Sequence, residues 1–227
     1  MELDNQFSAV AYLLGEHARA AMLWNLLDGR AYTAGELALS ANISPQSASN
    51  HLGKLVNANF LKVEKQGKHR YYKFAREEVA MAVESIANLI PDKRTSGFQK
   101  NIANGDIQYA RTCYDHLAGK IAVDLTQALV KQKIVKQAGN NFQVSSKGEA
   151  WFKMIGININ ELRNTERRFA KPCLDWTERK HHLAGALGAA LLNQMLSFNW
   201  IRKKSNSRIV ILTAKGETEL TKLGISF

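Results

Sequence analysis

The tetrapeptide His-Leu-Ala-Gly occurs twice, at His116–Gly119 and at His182–Gly185, an offset of 66 residues. Ser145-Ser146-Lys147-Gly148-Glu149 is matched by Thr213-Ala214-Lys215-Gly216-Glu217 at an offset of 68, and Gly156-Ile157 by Gly224-Ile225 at the same offset. A period above ~50 residues fits a duplicated domain better than a solenoid. Residues 107–227 are therefore expected to hold two copies of one unit, about 107–160 and 172–227, related by a pseudo-twofold axis. Each copy reads as long helix, strand, polar turn, strand, helix. The hairpins turn at Gly139-Asn140-Asn141 and at Lys204-Ser205-Asn206-Ser207.

The chain has two cysteines, and one precedes the repeated element in each copy. Cys113 stands three residues before His116, a spacing that shares one face of a helix. Cys173 stands nine before His182, half a turn out of phase unless the chain bends near Pro172. Asp175, Glu178 and His182 share a helical face. Converged, Cys113, His116, Cys173 and His182 would suit zinc or another transition metal such as nickel or copper. The two thiols alone would suit an oxidisable pair. The same residues also fit inert buried thiols and a packing device, with the glycine admitting a close neighbour and the histidine bonding a carbonyl.

The first 91 residues read as four helices, a hairpin and a last helix. Phe7, Val10, Ala11 and Leu14 repeat at helical spacing, and His17–Leu27 is a second helix stopped by Asp28-Gly29. Thr33 and Glu36 form a capping box for a short third helix ending near Ala41. Ser44-Pro45 opens the fourth, with serine as N-cap and proline preset at the first helical position. Ala48, Leu52, Leu55 and Val56 share its apolar face. Gln46, Ser47, Asn50, Lys54 and Asn57 share the opposite one, flanked by Ser49 and His51. Amide, hydroxyl and amine groups without an acid are the types that meet base edges and phosphates. A short capped helix, a tight turn and such a second helix make a helix-turn-helix. Leu61–Lys65 and Arg70–Phe74 flank a glycine turn and carry Lys68 and Arg70, a basic hairpin suited to phosphates or the minor groove. Val79, Val83, Ile86 and Ile90 stripe the last helix from Arg76. Pro91 and a polar stretch then mark residues 92–106 as a linker.

Residues 5–90 resemble the arsenic-repressor (ArsR/SmtB-type) winged helix-turn-helix regulators. The resemblance rests on Glu36-Leu37-Ala38, on Ile43 to Leu55 with its Ser49-Asn50-His51-Leu52 core, and on Gly67-Lys68-His69-Arg70-Tyr71-Tyr72. It implies a homodimer that represses transcription and leaves DNA on sensing an effector, with its dimer interface built from the first and last helices. Metal-sensing relatives carry cysteines in the short helix before the turn or histidines on the last helix. Here Glu36–Ala41 has no thiol and Arg76–Ile90 no histidine, so neither metal site is carried over.

Charge supports a nucleic-acid partner. The formal net charge is +11. Residues 1–91 hold nine Lys/Arg and nine Asp/Glu, yet residues 54–73 carry six cations against Glu64. Residues 107–227 hold nineteen against nine, with Arg202, Lys203, Lys204 and Arg208 at the second hairpin, either a further phosphate footprint or a solvated edge. Trp151, Trp176, Phe198 and Trp200 read as core, or as the wall of an apolar effector pocket between the copies. Catalytic and phosphate-cradling motifs are absent from the sequence, as are a long apolar run and a signal-peptide core. The expectation is a mostly α protein with small β-hairpins: an N-terminal winged helix-turn-helix plus two winged-helix-like repeats. It would be cytoplasmic, non-enzymatic and homodimeric, and would bind double-stranded DNA and a small-molecule or metal effector. The alternatives are an architectural or nucleoid-type DNA-binding protein without an effector, or a thiol- or metal-responsive sensor built on Cys113, His116, Cys173 and His182.

Overall fold

The computed structural model describes residues 2–89, 104–205 and 207–227, so most of the expected linker, and Asn206 of the second hairpin turn, lie outside the described residues. The chain divides into two compact units, Met1–Ala87 and Asn88–Phe227.

In the first unit, α1 (Glu2–Gly15) leads to α2 (His17–Leu26), β1 (Tyr32–Thr33), α3 (Ala34–Ala41), α4 (Pro45–Asn57), β2 (Leu61–Gln66), β3 (His69–Phe74) and α5 (Glu77–Ala87). The caps sit where the sequence puts them. Thr33 and Glu36 close a capping box, Ser44 accepts from the Ser47 amide, and Pro45 occupies the first turn. Asn42 ends α3 in the left-handed conformation, which asparagine tolerates, and so turns the chain sharply into α4. Ala48, Leu52 and Leu55 of α4 are fully buried with Leu37 of α3 and Leu23 of α2. One strand is missing from the sequence reading. Tyr32 and Thr33 pair with Tyr72 and Tyr71, so the wing is a three-stranded antiparallel sheet of order β1-β3-β2. Two residues are too few to display an alternating pattern.

The second unit corrects the expected order. Each copy begins with a hairpin that precedes its long helix. In the first copy, β4 (Arg111–Cys113) and β5 (His116–Ala118) lead to α6 (Lys120–Lys131), β6 (Val135–Ala138), β7 (Asn141–Val144) and α7 (Ser146–Met154), followed by the short α8 (Ile159–Arg163). In the second, β8 (Lys171–Leu174) and β9 (His181–Ala184) lead to α9 (Gly185–Ser197), β10 (Ile201–Lys203), β11 (Val210–Leu212) and α10 (Ala214–Lys222). The repeated His-Leu-Ala lies on a strand in both copies, and its glycine starts the helix. Gly119 and Gly185 have φ of 88° and 79°, and a Cβ there would lie within 3 Å of the Gln108 and the Arg168 carbonyl oxygen respectively.

Duplication extends to the backbone bonds. Ser145 and Thr213 cap α7 and α10 in the same way. The Phe142 amide donates to the Ala170 carbonyl of the second copy, and the Val210 amide to the Ala110 carbonyl of the first. β5 packs against β9, α6 against β9 and α9 against β5. One hydrophobic core, from Ala110 to Ile225, runs through both copies. Trp200 is buried in it, while Trp151 and Phe198 pack on its margin and Trp176 lies under the Arg111 guanidinium. Trp151, Phe198 and Trp200 thus take the core position that is one of their two readings. Arg208 likewise leaves the expected basic edge: it is buried and donates to the Thr112 carbonyl oxygen through Nε and Nη2.

Candidate functional site

Two places in the chain gather chemistry. The first is the outward face of α4 and the hairpin after it. Gln46, Ser49, Asn50 and Lys54 are exposed and Ser47 is half-buried. The Ser49 hydroxyl donates to the Pro45 carbonyl at 3.0 Å, leaving its oxygen as an outward acceptor. No acid interrupts this face. The β2–β3 wing places Lys65 directly opposite Arg70 and Lys62 opposite Lys73. Like charges facing each other across strands cost stability. Among the described residues, Lys73 is the one of these four with an ion-pair partner, Glu64. Lys65, Lys68 and Arg70 are exposed and have no ion-pair partner among the described residues. An edge that keeps such a penalty is suited to a polyanion.

His51 differs from its expected place. Its Nδ1 lies 3.3 Å from a Glu16 carboxylate oxygen and 3.3 Å from Arg19 Nη1. Arg19 is itself buried and donates to the Leu13 and Tyr12 carbonyls at the end of α1. Glu16 caps α2 through the Ala18 and Arg19 amides. Burial works the other way, but these amides and the neighbouring cations hold its pKa below the ordinary value. His51 therefore ties α4 to the α1–α2 corner rather than joining the outward row of Gln46, Asn50 and Lys54.

The second place is the contact between β5 and β9. Cys113 and His116 are cross-strand partners in β4–β5, not neighbours on a helix, and Cys173 and His182 are partners in β8–β9. The hairpins bring one ligand atom from each of the four residues to within 4.8 Å of all the others. The two sulfurs are 4.0 Å apart and the imidazole centroids 5.2 Å. Cys113, His116 and His182 are buried, and Cys173 is partly exposed. Asp115 lies 3.4 Å from His116 Nδ1 and is paired with Arg167 at 2.6 Å. Asp175, fully buried, lies 3.7 Å from His182 Nδ1 and 2.9 Å from Arg111 Nη2. It also accepts from the Gly119 amide of the first copy and from the Thr177 and Glu178 amides. Despite burial, the Arg111 guanidinium, His182 and these donors hold Asp175 well below the usual carboxylate range. Burial also opposes the charged form of His116, yet the Cys113 sulfur and the Asp115 carboxylate push its pKa up to about 9. Burial lowers that of His182, with His116 adding to the effect and Cys113 opposing it. Glu178 does not join the cluster in the way a shared helical face would have it, since it follows Asp175 in the β8–β9 loop. His181 is exposed.

The sequence carries a signal for this arrangement beyond the His-Leu-Ala-Gly element. Cys113-Tyr114-Asp115 recurs as Cys173-Leu174-Asp175 at an offset of 60, so six extra residues separate cysteine from histidine in the second copy. An insertion between two paired strands lengthens a hairpin loop without moving its ends.

No helix among the described residues is long and apolar enough to cross a membrane. No protein-family model matches the chain. Over 220 residues, 97% of each chain, it is 41% identical to a Bacillus subtilis protein described as an uncharacterised HTH-type transcriptional regulator, YdfF. Among solved structures, NolR from Sinorhizobium fredii matches 39% of this chain and 88% of its own, at 19% identity and a TM-score of 0.37. The transcriptional repressor BigR from Xylella fastidiosa matches 40% of this chain and 91% of its own, at 18% identity and a TM-score of 0.36. With a relative that similar along nearly its whole length, the chain belongs to the family of HTH-type transcriptional regulators.

Proposed function

We propose that this regulator is a homodimeric, sequence-specific DNA-binding repressor of the arsenic-repressor type, acting in the cytoplasm and released from its operator by an effector. The observation that carries the reading is the acid-free outward face of α4, set beside a wing whose exposed Lys65, Lys68 and Arg70 have no ion-pair partner among the described residues. Gln46 and Asn50 present amides of the kind that pair bidentately with adenine, and Ser47 and Ser49 present hydroxyls for either base. Lys54, Lys68 and Arg70 supply phosphate contacts, which fix register and make binding salt-dependent. His51 orients the helix from behind. The role is one of binding rather than catalysis.

The dimer reading is supported by α1, which buries none of its residues within the chain. Leu3, Phe7 and Val10 lie along its exposed side at helical spacing, and Met81 and Ile86 are exposed on α5. A stripe of this kind on a regulator's first and last helices fits burial against a second copy, whose twofold axis would match a palindromic operator.

Selection of bound sequences from random DNA tests the reading. A regulator should enrich one palindrome, binding it ~10³-fold or more tightly than random duplex. Replacing Gln46, Ser47, Asn50 and Lys54 together by alanine should abolish that preference in a folded protein. Binding without enrichment would identify an architectural protein instead, and undiminished operator binding by the quadruple variant would move the interface away from α4.

A further inference from the structure

We propose that Cys113, His116, Cys173 and His182 hold one zinc ion in a closed, four-coordinate site that fastens the two copies of the repeat to each other. The inference goes beyond the DNA-binding reading and does not depend on it.

Geometry comes first. Two sulfurs on one tetrahedral zinc lie about 3.8 Å apart, given Zn–S bonds of ~2.3 Å. The Cys113 and Cys173 sulfurs are 4.0 Å apart. With all four ligand atoms within 4.8 Å of one another, a common centre is reached by an inward movement of at most about 0.6–0.9 Å per ligand, judged against ~2.0–2.3 Å metal–ligand bonds. Two thiolates and two imidazoles form a donor set suited to zinc, and four protein ligands leave no open position for a substrate. The site is thus of the structural kind.

The surroundings fit a cation as well. His116 Nδ1 faces Asp115, while its buried Nε2 has no hydrogen-bond partner. Among the described residues neither ring nitrogen of the buried His182 has a nitrogen or oxygen partner, and the Cys113 sulfur is the group that interacts with both imidazoles. Buried polar nitrogens without partners are costly, and an ion bound through Nε2 of each ring gives both of those nitrogens a partner, leaving His182 Nδ1 to the Asp175 carboxylate 3.7 Å away. Each copy also sets an aspartate from its Cys-x-Asp run near Nδ1 of its own histidine, Asp115 at 3.4 Å and Asp175 at 3.7 Å. A carboxylate behind a ligating histidine fixes the ring and strengthens it as a donor. A divalent ion with two thiolates is neutral, and the two aspartates are balanced by Arg167 and Arg111. Cys173, the one partly exposed ligand, marks the side on which the ion enters.

A disulfide explains the same pair of sulfurs less well. It requires closure from 4.0 Å to ~2.05 Å and leaves the histidine nitrogens unpartnered. Symmetry argues the same way. One copy supplies one cysteine and one histidine, half of a tetrahedral site, and the twofold relation of the copies supplies the other half.

The test uses the full chain, free of DNA, expressed without a metal-affinity tag and purified under reducing conditions. Elemental analysis and native mass spectrometry should find one zinc per chain, and exhaustive chelation should remove it and lower the unfolding temperature. Cobalt(II) added to the stripped protein should give the intense visible bands of tetrahedral coordination, with a thiolate-to-metal charge-transfer band. Cys113→Ser and Cys173→Ser should each lose the charge-transfer intensity of one thiolate. If either variant fails to fold, His182→Gln and the wild-type cobalt spectrum carry the same decision. Three results would overturn the proposal: folded wild-type protein that takes up no zinc from micromolar solution, a weak octahedral cobalt spectrum, or zinc retained in full by both cysteine variants. A chain purified in parallel without reductant that is two hydrogens lighter and takes up no metal after reduction would replace it with the disulfide.

Discussion

Gly53 offers a sharp test of which surface meets DNA. It lies inside α4, where glycine is a poor residue, and a Cβ built on it would touch nothing within 4 Å. Its backbone is not in the left-handed region that would call for glycine. Nothing within the chain therefore explains it, although glycine costs a helix interior ~0.8–1.0 kcal/mol relative to alanine. At 100° per residue Gly53 falls between Ser49 and Gln46, on the outward face beside Asn57. We predict that Gly53→Ala stabilises the protein by about 1 kcal/mol, a rise in unfolding temperature of roughly 2–4 °C for a chain of this size. We predict in addition that it weakens operator binding about tenfold, the equivalent of ~1.4 kcal/mol, because the new methyl stands where a phosphate or base edge closes on the helix. Calorimetry gives the first quantity and fluorescence anisotropy with the selected operator the second. Greater stability with unchanged affinity would refute the placement of DNA on this face. Lower stability would refute the claim that the chain has no use for the glycine.

Neutralising Lys68 and Arg70 to glutamine should flatten the slope of log affinity against log salt by about two if each meets one phosphate. An unaltered slope, measured by anisotropy titrations at several salt concentrations, would assign the footprint elsewhere. Phe7→Glu should convert the proposed dimer to monomers in sedimentation velocity, since Phe7 is 75% exposed within the chain and a second copy packed on α1 would cover it; an intact dimer would exclude α1 from the interface. Gly216→Ala places a Cβ about 2.0 Å from the Trp200 carbonyl oxygen, so a backbone shift is forced and stability should fall by ~1–3 kcal/mol or more in denaturant melts. Gly148→Ala meets the Ile134 carbonyl at 2.1 Å and should behave alike, and an unperturbed melt for either would contradict the repeat as described.

The first unit was legible because its decisive signals are local. The Thr33–Glu36 box and the Ser44-Pro45 start act within one helical turn, and Ala48, Leu52 and Leu55 declare their face by spacing. The second unit hid its leading hairpins for the opposite reason. Strands of three or four residues show no alternation, and a cysteine three residues before a histidine fits a helix face as well as a two-residue turn. What decides for the turn is remote: β5 is held by β9 and α9, more than sixty residues away in sequence. Tyr114 adopts a left-handed φ of 59° to make the turn, a conformation that a tyrosine does not advertise. His51 was ambiguous because the residues that claim it, Glu16 and Arg19, belong to a different helix.

The two copies share more than a fold. Each hands a backbone carbonyl to the other's second hairpin, Ala170 to Phe142 and Ala110 to Val210, so neither hairpin is complete without the opposite copy. The departure from symmetry falls in one loop. With two residues between Cys113 and His116, Asp115 stays at the rim beside Arg167. With eight between Cys173 and His182, the chain folds back and Asp175 is carried into the interior, where it accepts from Arg111 and from the Gly119 amide of the first copy. A buried carboxylate with that many donors is an anchor: removing it would leave the fully buried Arg111 guanidinium without its carboxylate, and breaking a buried pair in this way costs ~3–5 kcal/mol. The longer loop thus adds a polar lock between the copies while leaving Cys173 and His182 opposite each other, in the same register as Cys113 and His116. Extra residues that rebuild a loop and preserve the pairing at its base are what a constraint on the four side chains, rather than on the turn, would leave behind.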